Sequence, residues 1–347
     1  MRQVIQVAAA AAVLVGASSG VALAHHGHGK RHGHASASER LFTLQPDPAA
    51  NPEGVAFDKR SKAFFVSSTG DGAIYRGTLD SATVSPFIPG ATGHSAVGLK
   101  VGRGKLYVAG GSTGSITVYD LATKQAVATF ATGSGGFLND LVVTGRGDVY
   151  VTDSTRPTLW HVTADQVRAG GGTPQALDIS GGIPYQAGFN LNGIVAKSNK
   201  KLVVVQSNTG KLFRINLESH GTAIGAIDEV AGVSVPGGDG MLLDNGKLIV
   251  VQGGPPAQLT FVKLHDGARS GEIKSTRTSP LLKGPSTIAR ARDTYLVVNA
   301  DFATSTKPFT VVGLPRNDKG TGDDHHHGED HHGHGHGHHG HHGGHGR

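Results

Sequence analysis

Two short stretches, Phe137-Leu138-Asn139-Asp140 and Leu191-Asn192-Gly193-Ile194, each set an asparagine just before an apolar run. Asn beside glycine ordinarily marks a turn. The same position recurs with a carboxylate at Glu53, in PEGVAFD, and at Asp239, in GDGM. Two carboxylates and two amides are all hard oxygen donors. Gathered at one point they suit a divalent cation such as Ca²⁺, which takes about 6–8 oxygen ligands. The carboxylates balance the charge of the ion, and the amides fill coordination positions without adding repulsion. Zn²⁺ and Mn²⁺ are the other ions to weigh there.

Gathering them requires a repeating fold, and the chain between residues 41 and 314 repeats. Six segments share one pattern: a small or polar residue, a short apolar strand, a turn, a second apolar strand, a Gly/Asp/Asn-rich turn and a third strand. They begin at Glu53, Ala96, Asn139, Asn192, Asp239 and near Pro285, spaced 43, 43, 53, 47 and about 46 residues apart. Their apolar runs, such as AFFV, KLYVA, LVVV and YLVV, are short, β-branched and bounded by turns, which is strand chemistry. Only ADQVRAGG reads as helix. Repeats of about 40–50 residues with several strands are propeller blades. The expected fold is therefore all-β, a six-bladed β-propeller. Leu41–Leu44 and Phe309–Val312 are left over as strands, and pairing them in one blade would close the ring and remove two exposed edges. In a propeller the first strand of each blade lines the central channel, so residues at its start converge on the axis.

In their order and spacing, PEGVAFD, LND, LNGI and GDGM resemble the SMP-30/gluconolactonase family of six-bladed propellers, over roughly residues 50–300. That resemblance implies an axial divalent metal held by Glu53, Asn139, Asn192 and Asp239. It implies hydrolysis of a lactone or ester, with Asp239 as general base and Asn139 orienting substrate as well as metal. One departure bears on the substrate. Sugar lactonases of this kind tend to carry Arg two residues before the blade-three Asn, and this chain has Phe137. An apolar pocket of Phe137, Tyr185 and Phe189 suits a more hydrophobic ester or lactone. His94, just before the second repeat, is placed as a second catalytic candidate, because histidine transfers protons near neutral pH. Asp153, at the end of YVTD, reads as a turn residue.

The chain has no cysteine, which excludes disulfides, thiolate metal sites and cysteine nucleophiles. Its formal net charge of +6 is modest, and Lys and Arg are spread along the sequence. With 5% aromatics and no basic stripe, nucleic-acid binding is not expected. No glycine-rich stretch opens a helix as a phosphate loop would, and no Gly-x-Ser-x-Gly elbow occurs. Arg2, the apolar run from Val4 to Val15 and the small-residue site Ala22-Leu23-Ala24 read as a secretory signal. The expected location is extracellular or periplasmic after cleavage near Ala24, with no stable membrane insertion.

The remaining signal is histidine. Of 21 histidines, five lie in residues 25–34 and twelve in 325–345. Residues 25–40 and 315–347 are Gly/His-rich and expected to be disordered. Imidazoles at that density bind Cu²⁺, Ni²⁺ or Zn²⁺. Three functions follow. The chain is an exported metal-dependent lactone or ester hydrolase, a non-catalytic metal-stabilised propeller that binds a ligand or protein, or a transition-metal sequestration protein acting through its tails. The partners are a small molecule and metal ions, with oligomeric state open.

Overall fold

The computed structural model describes residues 38–316. The signal-like residues 1–24 and nearly all of both histidine-rich segments lie outside the described residues. Strands run from Arg40 to Pro315, interrupted by one short helix, Ala164–Ala169, and one 3₁₀ turn, Ser219–Gly221. The helix is the ADQVRA segment. Thr163 caps it, with Gln166 completing a reciprocal capping box, and Gly170 ends it in the left-handed conformation at φ 83°.

The strands form six four-stranded antiparallel blades around one axis. Blades two to five each use four consecutive strands. Blade one is Pro52–Asp58, Ala63–Ser68, Ile74–Thr78 and Thr83–Ile88, from the channel outward. Blade six takes Pro285–Ala291, Thr294–Asn299 and Thr310–Pro315 from the C-terminal end and Arg40–Leu44 from the N-terminal end. Arg40 pairs with Gly313 and Thr43 with Thr310, so the leftover strands close the ring. The same N-terminal strand also pairs in parallel with the outer strand of blade one, Thr43 to Thr83 and Leu44 to Val84. The first and last blades are thus hydrogen-bonded to each other.

Blades one to five each carry a fourth strand that the sequence pattern did not reveal. These outer strands, for example QALD and SGEIKSTRT, are largely exposed, so their residues follow no apolar alternation. The inner and second strands behave oppositely. Phe64 packs into the cluster shared by blades one and six, and its neighbour Phe65 into the cluster shared by blades one and two. Val203 and Val204 divide in the same way between blades four–five and three–four. Both faces of each blade are covered, so period-two alternation gives an unbroken apolar run. Six such clusters fill the six gaps between blades. Truncating a fully buried member such as Leu141 or Leu202 is expected to cost about 2–5 kcal/mol.

Candidate functional site

The inner strands start irregularly, always at the same place. In blade one the pairing register slips between Pro52 and Val55, and in blade three between Leu138 and Leu141. Blades four, five and six slip between Leu191 and Ile194, Gly238 and Met241, and Pro285 and Ile288. Each slip leaves two residues outside the regular ladder, and a bulge of this kind re-aims side chains. The first residue of each pair is Glu53, Asn139, Asn192, Asp239 or Ser286. The structure therefore corrects the sequence alignment at blade two, where the equivalent is Val97 rather than Ala96, since Val97-Gly98-Leu99 matches Glu53-Gly54-Val55. In blade six, placed by sequence only near Pro285, the residue is Ser286.

The second residue of the pair is glycine in four blades, for a steric reason. A Cβ on Gly54 would lie 2.3 Å from the Val97 carbonyl oxygen, and one on Gly193 would lie 2.3 Å from that of Asp239. Each bulge is pressed against the next. Hydrogen bonds fix the ring further. The carbonyl of Glu53 accepts from Ser286 Oγ at 2.8 Å, that of Val97 from Ser67 Oγ at 2.6 Å, and that of Asn192 from Thr152 Oγ1 at 2.7 Å. The Asn139 carbonyl accepts the Gly98 N–H at 2.8 Å.

Glu53, Asn139, Asn192 and Asp239 meet in one cavity of about 490 Å³, which Thr69, Val97, Phe137, Phe189 and Phe302 complete. Each of the four contributes a buried oxygen without a hydrogen-bond partner: Glu53 Oε2, Asn139 Oδ1, Asn192 Oδ1 and Asp239 Oδ1. Their other polar atoms are engaged. Asn139 Nδ2 donates to Ser154 Oγ at 3.0 Å, and Glu53 Oε1 accepts from Thr287 Oγ1 at 3.2 Å. The amide of Asn139 is thereby turned so that its oxygen is left over. Four unsatisfied oxygens from four blades would be costly in a finished structure, because buried acceptors are nearly always paired. A divalent cation satisfies all four at once, and the donor set fits one. No group of three or more His, Cys, Asp or Glu gathers anywhere among the described residues, so amide oxygens are essential to this set.

The electrostatics suit a site for positive charge. Burial, then the carboxylates of Asp239 and Asp140, push Glu53 well above the usual carboxylate range. Burial and Asp140 push Asp239 up to about 7. Asp140 is a residue that the sequence argument passed over. It occupies the bulge position where four other blades carry glycine, and it is 2% exposed. Lys100, on the inner strand of blade two, pairs with its Oδ1 at 2.9 Å, and Oδ2 has no partner. The readable signal was the departure from glycine at that one repeat position.

The other candidates divide. Phe137 and Phe189 line the cavity, edge to face with centroids 4.9 Å apart. Tyr185 does not line it: its hydroxyl donates to the Asp153 carbonyl at 2.5 Å, and its ring packs against the core between blades three and four. Burial pushes its phenol far up. His94 lies in an exposed turn and is not among the lining residues. Asp153 is fully buried and holds the loop that carries Phe137, accepting from the N–H groups of Phe137 and Arg156, from Arg156 Nε and from Trp160 Nε1. Burial alone would raise its pKa, but these donors hold it below the usual value. Phe302, from the blade-six loop, was missed by the sequence because it lies outside any strand. It is 57% exposed at the cavity mouth.

Solved structures share this architecture. They include a gluconolactonase from Xanthomonas campestris (19% identity, 80% of this chain and 90% of that chain, TM-score 0.56). A calcium-binding regucalcin from Agrobacterium tumefaciens aligns at 16% identity over 77% of this chain and 91% of its own, with a TM-score of 0.57. A luciferin-regenerating enzyme aligns at 13% identity over 80% and 95%, with a TM-score of 0.58. These are SMP-30-type propellers, and at such identities the likeness shows the fold alone. No protein-family model and no curated protein matches the chain.

Proposed function

We propose that the chain is an exported hydrolase that opens a lactone or ester at the mouth of the propeller, with a divalent cation, Ca²⁺ in the first instance, held by Glu53, Asn139, Asn192 and Asp239. The observation that carries this reading is the set of four buried, partnerless oxygens from four blades on the floor of an apolar-rimmed cavity. The cation would supply Lewis-acid polarisation of the substrate carbonyl and stabilise developing negative charge. The rest falls to the chain. Asp239 is the least buried of the four and opens onto the cavity, so its carboxylate is the group positioned to take a proton from the attacking water. The water oxygen adds to the carbonyl carbon, the acyl C–O bond breaks, and the proton passes to the leaving alkoxide. Asn139 is fixed by Ser154 and holds its oxygen toward the same point.

Substrate class follows from the rim. Phe137, Phe189, Phe302 and Val97 line the cavity, and no Lys, Arg or His does. That lining favours an uncharged, largely apolar acyl or leaving group over a polyol or an anion. The structural neighbours named for gluconolactonase and calcium binding support the reading at the level of fold. The test is a screen of aryl esters and aliphatic and sugar lactones, with and without chelator, on the wild type and on Asp239→Ala and Asn139→Ala. Cation-dependent turnover that both substitutions abolish is expected, and turnover unchanged in either would overturn the proposal.

One observation favours a second reading, in which the cation only stabilises the fold. With His94 outside the cavity, the proton acceptors lining it are Glu53 and Asp239, and both are already assigned to the cation. That reading expects cation-dependent thermal stability with no turnover across the same panel.

A further inference from the structure

The lysines and arginines that look scattered along the sequence are not scattered in space. The bulged starts of the inner strands face the cavity, so the hairpins joining the inner to the second strands lie at the opposite end of the channel. In chain order these hairpins read DKRSK (58–62), GRGK (102–105), GRGD (145–148), KSNKK (197–201), DNGK (244–247) and ARDT (291–294). Every one carries a cation. A repeat places one position of each blade on one face, and here that position is basic six times over.

Contacts show that the hairpins form a continuous ring. Arg60 reaches Gly104 of the next hairpin. Arg103 Nη2 donates to the Gly145 carbonyl at 2.7 Å, and the Arg146 N–H donates to Asn199 Oδ1 at 3.3 Å. Lys201 lies beside Gly267 of blade five, and Arg290 of blade six pairs with Asp244 at 2.7 Å. The ring closes where Lys59 and Lys62 share a groove of about 180 Å³ with Arg290 and Arg292.

These hairpins carry eleven Lys and Arg against four acids, Asp58, Asp148, Asp244 and the exposed Asp293. Asp58 accepts from Ser61 and the Arg60 N–H, and Asp148 from the Ala164 N–H. Asp244 is held by Arg290, Arg316 and Tyr295. Several cations, among them Lys59, Lys62, Lys197, Lys200 and Lys247, are exposed and make no ion pair among the described residues. The hairpins as a set are therefore net positive.

We propose that this face docks the protein on an anionic lipid surface with the cavity mouth turned away from it. Charge complementarity comes from many separate tips around a ring. A membrane surface meets that arrangement, because each cation near an anionic leaflet strengthens binding by roughly fivefold without needing a shaped site. A nucleic-acid strand would instead call for a stripe with stacking aromatics. The one aromatic of the 180 Å³ groove, Phe57, is half-buried.

The test uses the full chain and vesicles of phosphatidylcholine with and without about 30% phosphatidylglycerol, sedimented at about 0.1 M salt, where charges are screened beyond about 10 Å. A quadruple variant, Lys59→Glu, Lys197→Glu, Lys200→Glu and Lys247→Glu, reverses the ring. A charge-matched control reverses Lys211, Lys274, Lys283 and Lys307, which lie away from these hairpins. Wild type and control are expected to bind the anionic vesicles within about threefold of each other, while the ring variant loses at least a hundredfold. Thermal melting checks that all three fold. The proposal falls if wild type ignores anionic vesicles or if the ring variant binds like the control. It also falls if duplex DNA or a sulfated polysaccharide displaces the protein from vesicles at equal charge concentration.

Discussion

The two ends of the central channel are made from the same six inner strands and carry opposite needs. At the starting end, Glu53, Asp140 and Asp239 cluster with Lys100 as the paired cation, and five oxygens, Asp140 Oδ2 among them, lack partners among the described residues. At the hairpin end, exposed lysines and arginines ring the axis and outnumber the acids of the same hairpins. The starting end suits a small cation, because the bulges bring its oxygens to one cavity. The hairpin end suits an extended anionic surface, because its cations sit on six separate hairpins. In a repeat fold, chemistry is decided by which repeat positions are allowed to differ. The bulge position changes from blade to blade (Glu, Val, Asn, Asn, Asp, Ser), while the hairpin position stays basic.

The comparison breaks most visibly at the bulges. Asn192→Ala is expected to lower turnover by roughly 10²–10³-fold, the usual scale for losing a group that stabilises developing charge. Steady-state kinetics at saturating Ca²⁺ checks this, and the ring lysines should leave the same turnover untouched. Next in size is Gly193→Ala. Its new methyl would meet the Asp239 carbonyl at 2.3 Å, so a loss of about 3 kcal/mol in denaturant unfolding is expected, together with weakened cation binding.

Chelation gives the third effect, and its sign is definite. Glu53 and Asp239 both sit above their unfolded values, so the metal-free fold retains protons that the unfolded chain has lost. That contribution is complete below the unfolded value of 3.8 and is lost as pH rises through about 7. Chelated protein should therefore melt at a lower temperature at pH 8 than at pH 5, and Ca²⁺ should restore more at pH 8. Asp239→Asn should raise the melting temperature of chelated protein at pH 8 and abolish the Ca²⁺ effect.

Lys100→Met sharpens the contrast within the starting end. It leaves Asp140 unpaired, and with Lys100 about a quarter exposed a loss of about 2 kcal/mol is expected in chelated protein. Ca²⁺ affinity should rise, because the site then carries one more uncompensated negative charge. The smallest effect belongs to the rim. Phe302→Ala should change stability by less than about 0.5 kcal/mol, since the ring is mostly exposed, yet raise KM several-fold for apolar substrates with kcat unchanged.

Much of this was legible in the residues. The spacing of Glu53, Asn139, Asn192 and Asp239 announced both the blades and the meeting of these four side chains in one cavity, because a repeat fold converts equal register into convergence. The fourth strands were hidden because strands such as SGEIKSTRT have no buried face to imprint a pattern. Tyr185 and Phe302 exchanged roles for a related reason: each sits in a loop, where sequence carries composition but not direction. His94 is adjacent to the second repeat in sequence, yet its turn holds it outside the cavity. The basic ring was invisible to any search for a run of charge, since its members are separated by a whole blade.

The central claim is that four blades hold one cation through side-chain oxygens. Calorimetric titration of Ca²⁺, a poor partner for imidazole, into chelator-treated full-length protein tests it directly. One site per chain is expected, weakened at least a hundredfold by Asn139→Ala or Asn192→Ala and unchanged by reversal of the ring lysines. No Ca²⁺ binding by the wild type, or equal binding by the amide variants, would contradict it.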